Sequence, residues 1–316
     1  MMAMLFTVLV FFAGLAILYY GAEFLVGGSS RLAFSYGVRP LIVGMTVIAF
    51  ATSMPELMVS LLAAVKGSSD IAAGNIIGSN IANIGLILGV AALLLPMVVA
   101  RATLTREIPF MIGASLLLYV FCLDGVLGFV NGLILFALLV VFLAYCIKTA
   151  RIRVPYEIEA ERPAGESEPR RRRDLLHITL GMVGLGVGAE LMVRSAVTIA
   201  TALGISELVI GMTVVALGTS LPELAASVVS AWKGEMDLSV GNVIGSNIFN
   251  ILFVLGVCPM IRPLSVDPSV LRFELPVMLA FSAVLIPLLW RGRKLDRPRG
   301  ALLLVAYLIF IGVLFV

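Results

Sequence analysis

Charged residues are scarce in this chain of 316 residues. Asp, Glu, Lys and Arg make up 13% of it, whereas 61% is hydrophobic. Soluble globular proteins carry about 25% charged residues, and the mean hydropathy here is +1.12. The composition therefore excludes a soluble domain and predicts an all-α polytopic protein of the lipid bilayer, with no nucleic-acid partner.

Histidine and cysteine are also rare. Cys122, Cys146 and Cys258 are scattered without a CxxC pair, and His177 is the one histidine. This spacing supports neither a structural zinc site nor a disulfide framework. We therefore expect no resident cofactor and no catalytic metal centre, and place His177 at a membrane interface.

Long apolar runs fill most of the chain, and about 20 such residues cross a hydrocarbon core of about 30 Å. About ten spans are predicted, near Met4–Val26, Leu41–Val65, Ile71–Leu95, Ile108–Cys122, Val126–Ile147, Leu175–Ala200, Leu208–Ala231, Leu238–Met260, Leu271–Trp290 and Gly300–Val316. The first run has no basic segment before it and no small-residue cleavage site, so it is expected to be a span and not a signal peptide.

The distribution of basic residues predicts the orientation. If the N-terminus is outside, 18 of the 22 Lys and Arg residues fall in cytoplasmic loops. By the positive-inside rule, we expect a multi-pass protein of the cell membrane with both termini outside. The polar stretch 151–174 is predicted to be a cytoplasmic, solvated linker and not a packed element.

Two pairs of segments recur at a constant offset of 167 residues. Gly44–Ser60 and Gly211–Ser227 agree at 11 of 17 positions, and Gly74–Gly89 and Gly241–Gly256 agree at 11 of 16. The repeat predicts two halves, 1–150 and 175–316, of five spans each. Because five is odd, the second half must enter the membrane from the opposite face, which gives inverted repeats with a site at their midplane interface. Both halves of that site come from one chain, so we expect it to function as a monomer.

Each half carries one carboxylate, Glu56 or Glu223, within an apolar run. An ionisable group at membrane depth costs several kcal/mol without a partner and by default marks an ion or substrate path. A Thr-Ser pair precedes each Glu by four and three residues, which places the hydroxyls on the carboxylate's face of a helix; these are Thr52, Ser53, Thr219 and Ser220. The proline before each Glu removes an amide donor, and we expect this to free the carbonyl oxygens of about Ala49 and Ala216.

The second motif adds a serine and an asparagine four residues apart in each half. These are Ser79 with Asn83 and Ser246 with Asn250. The amides recur at corresponding depths and need partners in lipid, so we expect them in the site. Together the two halves offer hard oxygen ligands, which select calcium and sodium over zinc or copper. Two carboxylates balance one divalent ion, or monovalent ions and protons, and carrying an empty pair across is costly, which favours an antiporter.

The paired segments G-x-T-x-x-A-x-x-T-S-x-P-E and G-N-x-x-G-S-N-x-x-N resemble the alpha-repeats of the calcium/cation antiporter superfamily, specifically the prokaryotic sodium/calcium exchangers. The resemblance implies ten helices and sodium-driven calcium transport by alternating access. It implies calcium ligation by Glu56, Glu223, Thr52 and Thr219. It also implies sodium sites that share the carboxylates with Ala49, Ala216, Ser53, Ser79, Ser220 and Ser246, and a centre lined by Asn83 and Asn250.

Asn250 stands where the potassium-dependent branch of the superfamily has Asp, so we expect no potassium dependence. Three other functions are compatible with membrane carboxylates. A proton-driven calcium exchanger of the same superfamily is the nearest alternative, and the motifs do not exclude it. A cation channel is disfavoured because its ring of ligands usually comes from several subunits, and an intramembrane acid protease because cation ligands surround both carboxylates.

Overall fold

The computed structural model describes residues 2–150, 168–204 and 216–314, and it is predominantly helical. In the first half the α-helices are α1 (Met2–Ser35), α2 (Pro40–Val43), α3 (Ala49–Thr52), α4 (Met54–Lys66), α5 (Ser69–Ala82), α6 (Gly89–Leu94), α7 (Ile108–Phe121) and α8 (Phe129–Thr149). In the second half they are α9 (Glu168–Ala202), α10 (Ala216–Thr219), α11 (Leu221–Trp232), α12 (Met236–Phe249), α13 (Leu255–Ile261), α14 (Pro268–Arg272), α15 (Glu274–Trp290) and α16 (Arg297–Leu314).

Short π-helical turns interrupt or precede several of these helices, at Gly44–Ile48, Asn83–Leu88, Thr103–Glu107 and Asn250–Val254. The sequence patterns did not predict them. Such turns are rare and frequently lie at functional sites. Two of the four begin at Asn83 and Asn250, the two amides that the repeated motif marked.

Within the described residues, eight helices are long and apolar enough to cross a membrane. A ninth candidate is broken, because Pro40–Thr52 and Met54–Lys66 meet at a bend of 45°. These nine agree in order with nine of the predicted spans. The remaining one, Leu208–Ala231, is described from Ala216 onward, and residues 208–215 lie outside the described part of the chain.

One predicted boundary is wrong. Helix α9 begins at Glu168, seven residues before the predicted span and inside the stretch that was expected to be an unpacked linker. Asp174 is only 4% exposed, because its Oδ1 accepts a hydrogen bond from Arg31 Nε at 2.6 Å. Arginine is a good helix former, so the run Arg170–Arg173 continues the helix outward from this anchor.

Helices α1 and α9 pack closely through glycines. A Cβ atom on Gly21 would lie 2.7 Å from Leu185 N, and one on Gly188 would lie 2.5 Å from Leu18 N. Small residues at such interfaces allow two helix backbones to approach. An ion pair of 3.0 Å between Glu23 and Lys233 ties α1 to the turn between α11 and α12.

The repeated Gly-Asn segments form the centre of the molecule. In Ser69–Leu94 and Met236–Ile261, 78% of the most apolar window is buried, against 17% to 33% in the other straight candidates. The other helices surround these two. Because both central helices carry Ser and Asn side chains, the polar groups of the two halves meet in the protein interior.

Two short antiparallel ribbons join the loops of the two halves and add β structure that the all-α prediction did not contain. Strand β1 (Met97–Val98) pairs with β4 (Lys294–Leu295), and β2 (Val126–Leu127) pairs with β3 (Leu264–Ser265). Each ribbon therefore takes one strand from each half.

Candidate functional site

The two carboxylates follow breaks of the same geometry in the two halves. Ser53 separates α3 from α4 with φ −83° and ψ 5°, and Ser220 separates α10 from α11 with φ −86° and ψ 2°. A proline follows each serine in the first turn of the next helix, where its fixed φ suits the start of a helix. The break therefore places Glu56 and Glu223 at helix N-termini, where the helix dipole favours negative charge.

The Ala49 carbonyl differs from the prediction. It is not freed by the proline, because it accepts a hydrogen bond from Ser53 N at 3.0 Å; Thr52 Oγ1 also lies 3.3 Å from it. In an α-helix, residue i donates to residue i−4, so Pro55 removes the donor to Ala51 and not to Ala49. Ala216 begins α10, and the surroundings of its side chain lie outside the described part of the chain.

Glu56 and Glu223 are both 0% exposed. Ser53 Oγ donates to Glu223 Oε1 at 3.2 Å and so joins the two halves. Neither oxygen of Glu56, nor Oε2 of Glu223, has a hydrogen-bond partner among the described residues. Buried carboxylate oxygens without donors are costly, so this pair requires a cation or protons.

The predicted hydroxyl groups also meet across the halves. Thr52 Oγ1 lies 3.3 Å from Ser246 Oγ, and Ser220 Oγ lies 3.3 Å from Ser79 Oγ. Each contact joins the broken helix of one half to the central helix of the other. All five of these serines and threonines, including Ser53, are less than 4% exposed.

Asn83 and Asn250 present oxygen atoms without partners. Asn83 Nδ2 donates to Asn247 Oδ1 at 2.9 Å, and Asn250 Nδ2 donates to Asn80 Oδ1 at 3.1 Å. Their own Oδ1 atoms are buried and have no donor among the described residues. The amide nitrogens are thus occupied, and the two oxygens remain for a cation.

Four asparagines at this site were not singled out from the sequence. Asn80 and Asn247 orient the two amides just described, and Asn75 and Asn242 contact the broken helices. All four lie inside the repeated segments and recur at the 167-residue offset. That recurrence was a signal that could have found them.

The structure thus brings together the predicted side chains of both halves, namely Thr52, Ser53, Glu56, Ser79, Asn83, Thr219, Ser220, Glu223, Ser246 and Asn250. Within the described ranges, no group of three or more His, Cys, Asp or Glu side chains is placed to hold a metal. The arrangement offers two charges and many neutral oxygens, which suits a transported ion better than a resident one.

A family model described as "Sodium/calcium exchanger protein" matches residues 6–148 and 174–316. These two segments include every predicted site residue. The chain belongs to the sodium/calcium exchanger family. Membership makes it an antiporter of this superfamily and a multi-pass membrane protein, and it agrees with the resemblance found in the motifs.

Relatives and a solved structure extend over nearly the whole chain. The putative antiporter CaxA of Alkalimonas amylolytica is 40% identical over 93% of this chain and 94% of its own. The sodium/calcium exchanger MaX1 of Methanosarcina acetivorans is 34% identical over 97% and 98%. The structure of the sodium-calcium exchanger NCX_Mj, soaked with Na+ and Ca2+, matches with a TM-score of 0.85 at 34% identity over 97% and 98%. Each named activity is that of a transporter and not of an enzyme.

Proposed function

We propose that this chain exchanges sodium for calcium across the cell membrane by alternating access. The observation that carries the proposal is the set of buried, unpartnered oxygens at the site: both of Glu56, Oε2 of Glu223, and Oδ1 of Asn83 and of Asn250. All five are acceptors. A cation supplies what all of them lack, and oxygen-only donor sets favour calcium and sodium.

Charge balance supports exchange over one-way release. Two carboxylates neutralise one calcium ion or two monovalent ions, whereas an empty site would leave two charges in a low-dielectric interior. Occupied forms can therefore change access from one side to the other, while the empty form resists doing so. Each ion thus leaves when another replaces it.

The proposed ligands are divided by ion. Calcium is held by Glu56, Glu223, Thr52 and Thr219. Sodium sites share the carboxylates with Ser53, Ser79, Ser220, Ser246 and the carbonyl oxygens of Ala49 and Ala216, while Asn83 and Asn250 line the centre. A carbonyl oxygen has two lone pairs, so Ala49 can still serve as a ligand.

The proposed architecture is ten transmembrane helices in two inverted halves, residues 1–150 and a second half that begins with α9 at Glu168, joined by a polar linker. Both termini lie outside and the linker is cytoplasmic, as the distribution of Lys and Arg indicates. The functional unit is one chain, since the described contacts that build the site come from its own two halves.

Calcium uptake into proteoliposomes tests the proposal, with outward sodium, proton or potassium gradients imposed one at a time and the membrane potential clamped. We expect uptake with the sodium gradient alone, and no change when potassium is added on either side. Proteoliposomes that contain the Glu56→Gln variant measure the background calcium uptake.

Other outcomes identify other functions. Uptake driven by the proton gradient and indifferent to sodium would assign the chain to proton/calcium exchange. Calcium entry that needs no counter-ion gradient would indicate a channel. A potassium requirement would show that Asn250 does not mark a potassium-independent transporter.

A further inference from the structure

Asn242 joins the backbone of the helix that carries Glu223 to Thr52 of the other half. Its Nδ2 donates to Ser227 Oγ at 2.9 Å and to the carbonyl oxygen of Glu223 at 3.3 Å. Its Oδ1 accepts from Thr52 Oγ1 at 3.2 Å. Asn242 is 0% exposed, so water does not compete for these bonds.

These contacts fix the orientation of the Asn242 amide. The Glu223 carbonyl oxygen can only accept, so the nitrogen of Asn242 must face it and the oxygen must face Thr52. That oxygen can also only accept, so Thr52 must be the donor. A threonine hydroxyl has one proton and two lone pairs, and a proton given to Asn242 leaves the lone pairs of Thr52 available to a cation.

Asn75 makes the three equivalent contacts with the roles of the two halves exchanged. Its Nδ2 donates to Ser60 Oγ at 3.0 Å and to the Glu56 carbonyl oxygen at 3.4 Å, and its Oδ1 accepts from Thr219 Oγ1 at 3.3 Å. In each set the two bonds from Nδ2 stay within one half, and the bond to the threonine crosses to the other half. Asn75 and Asn242 are related by the 167-residue offset.

We infer that Asn75 and Asn242 are positioning residues for ion binding: each turns the hydroxyl of the opposite half's threonine so that its lone pairs face the ion. This inference rests on the proposed function. Neither residue needs to touch the ion. An amide is required because one side chain must donate to the helix break and accept from the threonine at the same time.

Loss of the Asn242 acceptor affects ion binding through Thr52. Without Asn242 Oδ1, the Thr52 proton must go to another acceptor, and the nearest ones are Ala49 O and Ser246 Oγ, each at 3.3 Å. Both are proposed ligands. Removing Asn242 therefore weakens the ligand set through Thr52, and it should have little effect once Thr52 has no hydroxyl.

A double-mutant cycle tests this dependence. Calcium affinity of the purified transporter is measured by titration calorimetry for wild type, Asn242→Ala, Thr52→Val and the double variant. We expect each single change to weaken binding by about three- to tenfold. The double variant should bind no more weakly than Thr52→Val alone. In proteoliposomes, Asn242→Ala should raise the KM for calcium and leave the maximal rate within about twofold.

The chain offers a matched control of the same residue types. Asn75→Ala combined with Thr52→Val removes one asparagine and one threonine that do not contact each other, because Asn75 bonds to Thr219. We expect those two effects to multiply, to about ten- to a hundredfold in all. Equal behaviour of the two pairs would overturn the inference and leave Asn242 as a support of the helix break alone.

A milder variant covers the case in which Asn242→Ala does not fold. Ser227→Ala keeps the amide and removes one of its acceptors, so we expect a smaller loss of calcium affinity that also vanishes in the Thr52→Val background. Persistence of that loss would contradict the inference. Failure of the proposed function looks different: wild type would then bind no calcium, or Glu56→Gln would bind it as well as wild type does.

Discussion

At the scale of single residues, the site is defined by acceptors without donors. If the protein itself satisfied these buried carboxylates, amide or arginine donors would surround Glu56 and Glu223. Here the nearby donors are hydroxyl groups and asparagine amides, and most of them are already hydrogen-bonded to one another. The interior therefore pre-arranges oxygen atoms and leaves the positive charge to be supplied by the ion.

Glu56→Gln and Glu223→Gln should each abolish calcium transport and leave a folded protein in the membrane. Each removes one of the two charges that balance calcium, while neutralising a buried carboxyl lowers its desolvation cost. The measurement is calcium uptake in proteoliposomes, with size-exclusion profiles to check folding.

Glu107→Gln is the control for that pair. Glu107 is also 0% exposed but lies away from the site, where its Oε1 accepts from Tyr145 Oη at 3.1 Å. Gln retains an acceptor for Tyr145, so we expect transport to persist. Calcium uptake at the wild-type rate in either site variant would remove the carboxylates from the mechanism.

The residues that sequence patterns identified, and those they missed, differ in a physical way. Glu56 and its neighbouring hydroxyls stand out because charge and polarity are rare in an apolar run, which is a local property. Asn242 was not singled out, since its bond to Thr52, 190 residues away in sequence, leaves no local signal. The expectation for Ala49 was wrong because a proline was credited with freeing a carbonyl outside its own i−4 position.

At the scale of elements, glycines set the distance between helices α1 and α9. Gly188 and Gly186 lie in the same helix, yet a Cβ on Gly188 would meet the backbone of Leu18 at 2.5 Å, whereas one on Gly186 would meet no described atom within 4 Å. Of these two glycines, Gly188 therefore faces α1 and Gly186 does not.

Gly188→Ala should lower the unfolding temperature of the purified protein, because overpacking costs about 1–3 kcal/mol. Gly186→Ala should leave it equal or slightly higher, since alanine is favoured over glycine in a helix interior by about 1 kcal/mol. Fluorescence-detected thermal unfolding in detergent measures both. Equal shifts in the two variants would mean that α1 and α9 do not approach as described.

Element boundaries were harder to predict than element order. Hydropathy places a span within a few residues, but an end depends on contacts such as Arg31 with Asp174, which extends α9 beyond the apolar run. The π-helical turns had no sequence signal beyond the asparagines at which two of them start.

At the scale of the whole molecule, the proposed inverted arrangement makes a prediction about equivalent positions. Lys66 and Lys233 are related by the 167-residue offset. Lys66 is the last residue of α4, and Lys233 directly follows α11. In an inverted repeat they face opposite sides of the membrane. Single cysteines there, Lys66→Cys and Lys233→Cys, should react with an impermeant maleimide from outside and from the cytoplasm, respectively.

The native cysteines should not obscure that experiment, because Cys122, Cys146 and Cys258 are at most 2% exposed. Wild-type protein, labelled in the same way, is the control and should remain unmodified. Labelling of both variants from one side of intact cells would rule out the inverted arrangement.

The crossed asparagine bonds have an evolutionary consequence. Thr52 bonds to Asn242 and Thr219 bonds to Asn75, so each half carries both the donor and the acceptor of the same bond. Such reciprocity is the hallmark of an isologous dimer, in which one surface is complementary to a copy of itself. Two copies of a single ancestral half, inserted in opposite directions, would make both bonds without any new side chain. Gene fusion then had only to join them, and differences such as Ala51 against Gly218 could accumulate afterwards.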